Sequence, residues 1–145
     1  MQFKKLHPNF QLPVRSSSLA GGYDLFMPTD GRYDGYTDSG DTHSMVGLGF
    51  SAAVPVGFVA LILPRSGAGA KRGVELRNTV GVIDSDYRGE WMVAVTQKEG
   101  DPVDWEAGDR LYQYLLVPVA QFDPVLVEDL PGTDRGEGGF GSTGN

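Results

Sequence analysis

Apolar residues along this chain come in short runs broken by glycine, proline and acidic turn residues. Nowhere do they recur at helical spacing over a window of about a dozen residues. The runs are rich in β-branched and aromatic side chains, which suit a pleated, half-buried surface. Strands are predicted at Val46 to Ala53, Gly57 to Leu63, Val74 to Arg77, Gly81 to Ile83, Glu90 to Thr96 and Arg110 to Val119. Alternation in Glu90 to Thr96 puts Trp91, Val93 and Val95 on one face. Phe58 to Leu63 and Leu115 to Val117 are continuous apolar runs and read as buried on both sides. With 21 Gly and 9 Pro, turns are frequent, and an all-β barrel or sandwich is expected.

Two stretches escape this pattern. Residues 30–44 are acidic, glycine-rich and poor in aliphatics, and read as an exposed loop. Asp30, Asp34, Asp38 and Asp41 leave a metal-binding reading open there, with the solvated loop the better supported. The stretch Arg135 to Gly144 has too many glycines to pack a core and should be mobile when free. It reads as a disordered tail or, given its arginine, phenylalanine and Ser-Thr pair, as a lid that orders over a ligand.

Composition narrows the chemistry. At 145 residues one domain with a sizeable core is expected. No run is long enough to span a membrane and no signal-like pattern opens the chain, so a soluble, cytoplasmic protein is expected. With no cysteine there is no disulfide, thiol nucleophile or zinc finger, and His7 and His43 sit in polar, turn-like company. A net charge of −7 gives no footprint for nucleic acid, and any metal should be a hard cation bound through oxygen.

The densest ionisable chemistry lies in Gly81-Val82-Ile83-Asp84-Ser85-Asp86-Tyr87-Arg88-Gly89-Glu90. A carboxylate at the lip of an apolar strand can hold a water for attack, and Tyr87 offers a flat face to a ring-shaped ligand. A plain hairpin turn competes with that reading. An EF-hand calcium loop does not, because Arg88 and Val95 stand where ligands belong. Pro64-Arg65-Ser66-Gly67 combines an arginine fork, a hydroxyl and close backbone approach, the makings of an anion cradle or of an ordinary turn. Gly108-Asp109-Arg110 with Gln113, and Gly21-Gly22-Tyr23-Asp24-Leu25, are weaker alone.

In order and wording these segments resemble the five motifs of the trimeric deoxyuridine triphosphatase (dUTPase) family. Gly22 to Leu25 is similar to the first motif, Pro64 to Gly67 to the second, and Asn78 with Gly81 to Gly89 to the third. Gly108 to Arg110 with Gln113 is similar to the fourth and Arg135 to Gly144 to the fifth. The resemblance implies a jelly-roll-like β-barrel over residues 1–127, a flexible arm over residues 128–145, and a homotrimer with shared sites. It implies hydrolysis of dUTP to dUMP and pyrophosphate with Mg2+. Asp84 would activate the attacking water and Tyr87 would lie under the deoxyribose. Asn78 and the backbone of Gly81, Val82 and Ile83 would read the uracil edge. Arg65, Ser66, Gly67 and Gln113 would hold phosphates, and Asp24 would reach the metal through water. From the arm, Arg135 would meet the γ-phosphate, Phe140 would cover the uracil, and Gly141, Ser142 and Thr143 would bind phosphate.

The chain departs from the family pattern at Gly21 (alanine elsewhere), at Val80, where a proline in some relatives would restrain the hairpin, and at Tyr112 and Tyr114. None removes an implied catalytic group. Two other readings compete: an enzyme of the related dCTP deaminase family, and an interaction protein gated by nucleotide through residues 30–44. Any regulatory partner is unknown.

Overall fold

A computed structural model describes residues 1–33, 44–97 and 102–139. Its elements in chain order are β1 (Gln2–Lys5), β2 (Tyr23–Leu25), β3 (Gly31–Tyr33), β4 (Ser44–Gly47), β5 (Phe50–Ala53), β6 (Phe58–Pro64), α1 (Ser66–Arg72), β7 (Val74–Leu76), β8 (Gly81–Ile83), β9 (Met92–Gln97), β10 (Val103–Trp105) and β11 (Tyr112–Pro118). The all-β expectation holds, with one short helix added. Among the described residues, strands pair antiparallel in four small sheets, ordered β1-β5, β10-β3, β2-β11-β6-β8 and β4-β9-β7.

The face of β9 is as its alternation predicts: Trp91, Val93 and Val95 are buried. Around them pack Phe50, Leu25, Met27, Leu48, Ile62, Val74 and Leu111. Phe3, Phe10, Phe50, Trp91, Tyr114 and Tyr23 form a continuous aromatic chain, each ring centred between 5.0 and 6.4 Å from the next. Tyr112 and Tyr114 are therefore core residues. Tyr114 stacks on Tyr23 at 5.1 Å, and the Tyr112 hydroxyl donates to the Glu75 carbonyl at 3.3 Å.

Burial favours the neutral phenol of both residues. It pushes the Tyr114 pKa up to about 12, with neighbouring Tyr23 adding to the shift, and raises Tyr112 as well. The unfolded value lies near 10, so this stabilisation is intact below pH 10 and is lost as pH climbs towards 12. Melting temperature should thus fall steeply above about pH 10, and Tyr114→Phe should flatten part of that fall. Thermal melts from pH 8 to 12 check it; an equally steep fall in the variant would place the alkaline sensitivity elsewhere.

Four expectations need correcting. The run Val46 to Ala53 is two strands, not one. Leu48 N–H donates to the Trp91 carbonyl at 2.8 Å and Trp91 N–H donates to that of Phe50 at 2.9 Å. Gly49, at φ +75°, is left between them as an extra residue, a bulge that turns the chain. A Cβ there would lie 2.7 Å from that of His7, so only glycine fits. Second, Phe58 to Leu63 and Leu115 to Val117 are not buried on both sides. Ala60 and Ile62 are buried, while Val59, Leu61, Leu63, Leu115 and Val117 are half-exposed. Third, residues 30–44 are not wholly loop: β3 pairs with β10 and Tyr33 is buried, while residues 34–43, with Asp34, Asp38, Asp41 and His43, lie outside the described residues. Fourth, Val80 does not free the hairpin. Its N–H donates to the Asn78 carbonyl at 2.7 Å, a bond proline could not make. The residue between them, Thr79, has φ +66°, a strained setting for a β-branched side chain.

Beyond Pro118 the chain forms no further strand through Gly139, and Phe122, Val125, Leu126 and Leu130 are exposed. Among the described residues no helix is long and apolar enough to cross a membrane.

Candidate active site

The motif residues fall into two groups at different ends of the four-stranded sheet. The first gathers on Asp24, in β2. Its carboxylate is buried, yet it holds two cations: Oδ1 accepts from Arg65 Nε at 2.8 Å and Oδ2 from Arg110 Nη1 at 3.1 Å. Ser16 Oγ donates to Oδ2 at 2.9 Å, from a segment that runs beside β2 through paired Val14–Asp24 backbone bonds. Asp24 is opposite Gln113 in the β2–β11 register, and Gln113 Nε2 donates to the Pro64 carbonyl at 3.3 Å. Arg110 thus pairs with Asp24 and not with Asp109, whose carboxylate accepts from the Glu106 amide.

Arg65 also joins β6 to α1 as the residue that caps the helix, with extended backbone at φ −70° and ψ 149°. Ser66 and Gly67 form the exposed first turn, where helical N–H groups have no partner within the helix. The helix is invisible to periodicity because Ala68 is its only buried residue and two of its seven residues are glycine. Gly73 ends it at φ +66°.

The second group surrounds a cavity of about 240 Å³ lined by Met45, Val82, Ile83, Asp84, Tyr87, Glu90 and Met92. Asp84 follows β8 directly, and the turn after it is closed by Tyr87 N–H donating to the Asp84 carbonyl at 3.3 Å. Arg88 Nη1 ties the turn by donating to the carbonyls of Ser85 and Tyr87. The Tyr87 hydroxyl donates to the Glu90 carbonyl at 3.1 Å. Gly89 must be glycine for this, since a Cβ there would meet that hydroxyl at 2.3 Å. The Asp84 carboxylate is exposed and has no partner among the described residues. Asn78 is exposed at the opposite end of β8.

Sequence reasoning missed three contributors, Ser16 and the cavity-lining Met45 and Met92, and gave no role to Glu90 at the end of the central stretch. The β4–β9 register, with Gly47 opposite Met92 and Met45 opposite Ala94, brings both methionines to one face, and nothing local signals that pairing.

The two groups do not meet within one chain. The β6–β8 register sets Ile83 opposite Ala60, so Asp84 falls level with Val59. Arg65 lies six residues further along the same strand direction, or roughly 20 Å at strand spacing. Arg65 then turns towards Asp24 on the far side of the sheet. Arg135, in the exposed C-terminal segment, donates from Nε to the Gly138 carbonyl at 2.8 Å. Phe140, Gly141, Ser142 and Thr143 lie outside the described residues.

The sequence model of the dUTPase family matches residues 8–144. The chain belongs to the dUTPase family. It is similar to the deoxyuridine 5'-triphosphate nucleotidohydrolase of Shigella flexneri serotype 5b, at 41% identity over 97% of this chain and 91% of the relative. It is also similar to the one from Cronobacter sakazakii, at 44% over 93% and 88%. Among solved structures, a mutant dUTPase of Staphylococcus bacteriophage 80alpha with dUpNHpp superposes with a TM-score of 0.84. That match covers 99% of this chain and 98% of the phage chain at 22% identity. A different mutant of the 80alpha enzyme gives a TM-score of 0.85 at 23% identity, over 97% and 96%. The phage structures share the fold, and the enzyme class comes from the family match and the bacterial relatives.

Proposed function

We propose that this dUTPase hydrolyses dUTP to dUMP and pyrophosphate at sites shared between three copies of the chain. The observation that carries the shared site is the separation of the two groups. A nucleoside triphosphate cannot engage Asp84 at one end of β6 and the Arg65 cluster at the other within one barrel. A second copy can bring its own Arg65, Ser66, Gly67 and Gln113 to the cavity beside Asp84. The half-exposed apolar face of Val59, Leu61, Leu63, Leu115 and Val117 supports such an assembly, because one barrel leaves it uncovered.

In this reading Asp84 is the general base that takes a proton from the water attacking the α-phosphate. Tyr87 packs its ring under the deoxyribose, where a 2′-hydroxyl would collide with it. Asn78 and the backbone of Gly81, Val82 and Ile83 read the uracil edge. The arginines and the first-turn amides of α1 neutralise and align the phosphates, which is most of what phosphoryl transfer asks of a protein. The segment 128–145 serves as an arm, with Arg135 on the γ-phosphate, Phe140 over the base, and Gly141, Ser142 and Thr143 on phosphate.

Magnesium, held mainly by the substrate's phosphates, would supply charge neutralisation. The residues fit such an ion. Asp24 accepts three bonds and retains a lone pair for one of those waters. One related fold, a mutant dUTPase of phage phi11, is described as coordinating a structural Mg(II) ion.

Subunit complementation tests the shared site. Asp84→Asn and Arg65→Ala chains should each be nearly inactive alone. Unfolded together in equal amounts and refolded, they should regain about a quarter of parental turnover, since random assortment restores that share of two-chain sites. No regain, or an active species whose mass is the 15.6 kDa of one chain, would overturn it.

A further inference from the structure

We infer that Glu90 is a positioning residue that sets the sugar-facing tyrosine from the Gly49 bulge. The inference deepens the proposed function and rests on it for the role of Tyr87. Glu90 makes two contacts in opposite directions. Its backbone carbonyl accepts the Tyr87 hydroxyl at 3.1 Å, and its side-chain Oε1 accepts the Gly49 amide at 2.9 Å. That amide is the spare donor of the bulge, because the ladder on either side uses Leu48 and Phe50. The Gly49 carbonyl is held as well, by the amides of Leu6 and His7 at 2.8 and 3.0 Å.

The bulge is therefore anchored on one side to the N-terminal segment and on the other to the cavity wall. The Glu90 side chain reaches it by lying across Gly47, where a Cβ would come within 2.4 Å of Oε1. Residue 47 thus has to be glycine for the carboxylate to take this path. One bond further along the main chain, the carbonyl fixes where the tyrosine hydroxyl points. Trp91 follows at once, fully buried and bonded on both sides of the bulge, so the Glu90 backbone cannot drift while the carboxylate holds. A bulge next to a site commonly serves to aim a side chain, and here the aim passes through Glu90 to Tyr87.

The consequence concerns discrimination more than turnover. In Glu90→Ala, kcat/KM for dUTP should fall about tenfold, mostly through KM, with that for UTP unchanged or raised, since a misplaced ring both grips deoxyribose less and blocks the 2′-hydroxyl less. Glu90→Gln keeps an oxygen acceptor for the Gly49 amide and should stay within about threefold of the parent. Gly47→Ala, which crowds the carboxylate at a position that is not itself among the cavity-lining residues, should lower the dUTP/UTP ratio in the parent and leave it unchanged in Glu90→Ala. A purely structural role predicts a lower melting temperature with the ratio intact, and that result would overturn the inference. So would independent effects of Gly47→Ala and Glu90→Ala.

A second readout serves if Glu90→Ala folds poorly or if the parent shows no dUTP turnover. Failure of the parent would sink the proposed function alone. The linkage would still be visible by NMR in the parent and in Glu90→Gln and Gly47→Ala. Gly47→Ala should speed exchange of the Gly49 amide and shift a fluorotyrosine signal at position 87, and Glu90→Gln should change neither. An unmoved Tyr87 signal with a faster Gly49 amide would overturn the inference.

Discussion

Asp84→Asn is expected to leave the fold and nucleotide affinity close to the parent's while turnover falls by about 10² to 10⁴. The expectation comes from what Asp84 lacks. Other carboxylates near the motifs are committed or lie off the cavity: Asp24 holds two arginines, Asp109 accepts a backbone amide, Glu90 takes the Gly49 amide, and Asp86, exposed and without a partner among the described residues, does not line the cavity. The Asp84 carboxylate is exposed, borders the cavity and has no partner among the described residues. A side chain that stabilises nothing can be changed to its isosteric amide at little cost to the fold. The amide cannot accept a proton from water, so the loss should fall on the chemical step. Single-turnover hydrolysis of dUTP measures that step, and calorimetry with a non-hydrolysable dUTP analogue measures binding. Turnover within a few-fold of the parent would move the base to another group.

What can be read from the sequence is what depends on local pattern. The buried face of Trp91, Val93 and Val95 follows from strict alternation within one strand. The motif stretches are legible as segments, since each is contiguous. Features that depend on pairing between distant parts of the chain are not legible. The Gly49 bulge looks like ordinary strand sequence until Trp91 is seen to pair with both Leu48 and Phe50. β3 and β10 have three residues each, too few for alternation to show, so Tyr33 reads as part of a loop. The continuous apolar runs in β6 and β11 show no alternation, so nothing in them tells which side a single barrel covers and which it leaves half-exposed. Above all, motif order carries no information about strand direction. The two groups of motif residues, neighbours in motif order, stand at opposite ends of β6.

The removal of Asp24 should be among the most damaging changes outside the cavity. Its carboxylate has a side-chain exposure of 6%, against 31% for Arg65 and 41% for Arg110. In Asp24→Ala both guanidiniums lose their common counter-ion and face each other across a small void. Being part-exposed, they can recover some hydration, so the stability loss should be about 2 kcal/mol, well below that for a fully buried pair. The loss in function should be larger. Without the carboxylate Arg65 keeps only its Nη1 bond to the Arg110 carbonyl, at 3.2 Å, and a cation displaced by about 1 Å can cost 10²-fold in rate. A fall of about 100-fold in kcat/KM for dUTP is therefore expected. Asp24→Asn separates the two arginines. Its carbonyl oxygen can still accept at one of the two positions, while its amide must face what bonds the other: Arg65 alone, or Arg110 together with the rotatable Ser16 hydroxyl. Arg65 approaches closer than Arg110, at 2.8 against 3.1 Å, so the oxygen should turn to Arg65 and the amide to Ser16 and Arg110, which loses its acceptor there. That variant should lose only about tenfold, and adding Arg110→Ala to it should cost little more. Steady-state kinetics on the two single variants and the double variant decide it. Equal losses in Asp24→Asn and Asp24→Ala would mean that charge at Asp24, and not its hold on Arg65, is what the phosphate site needs.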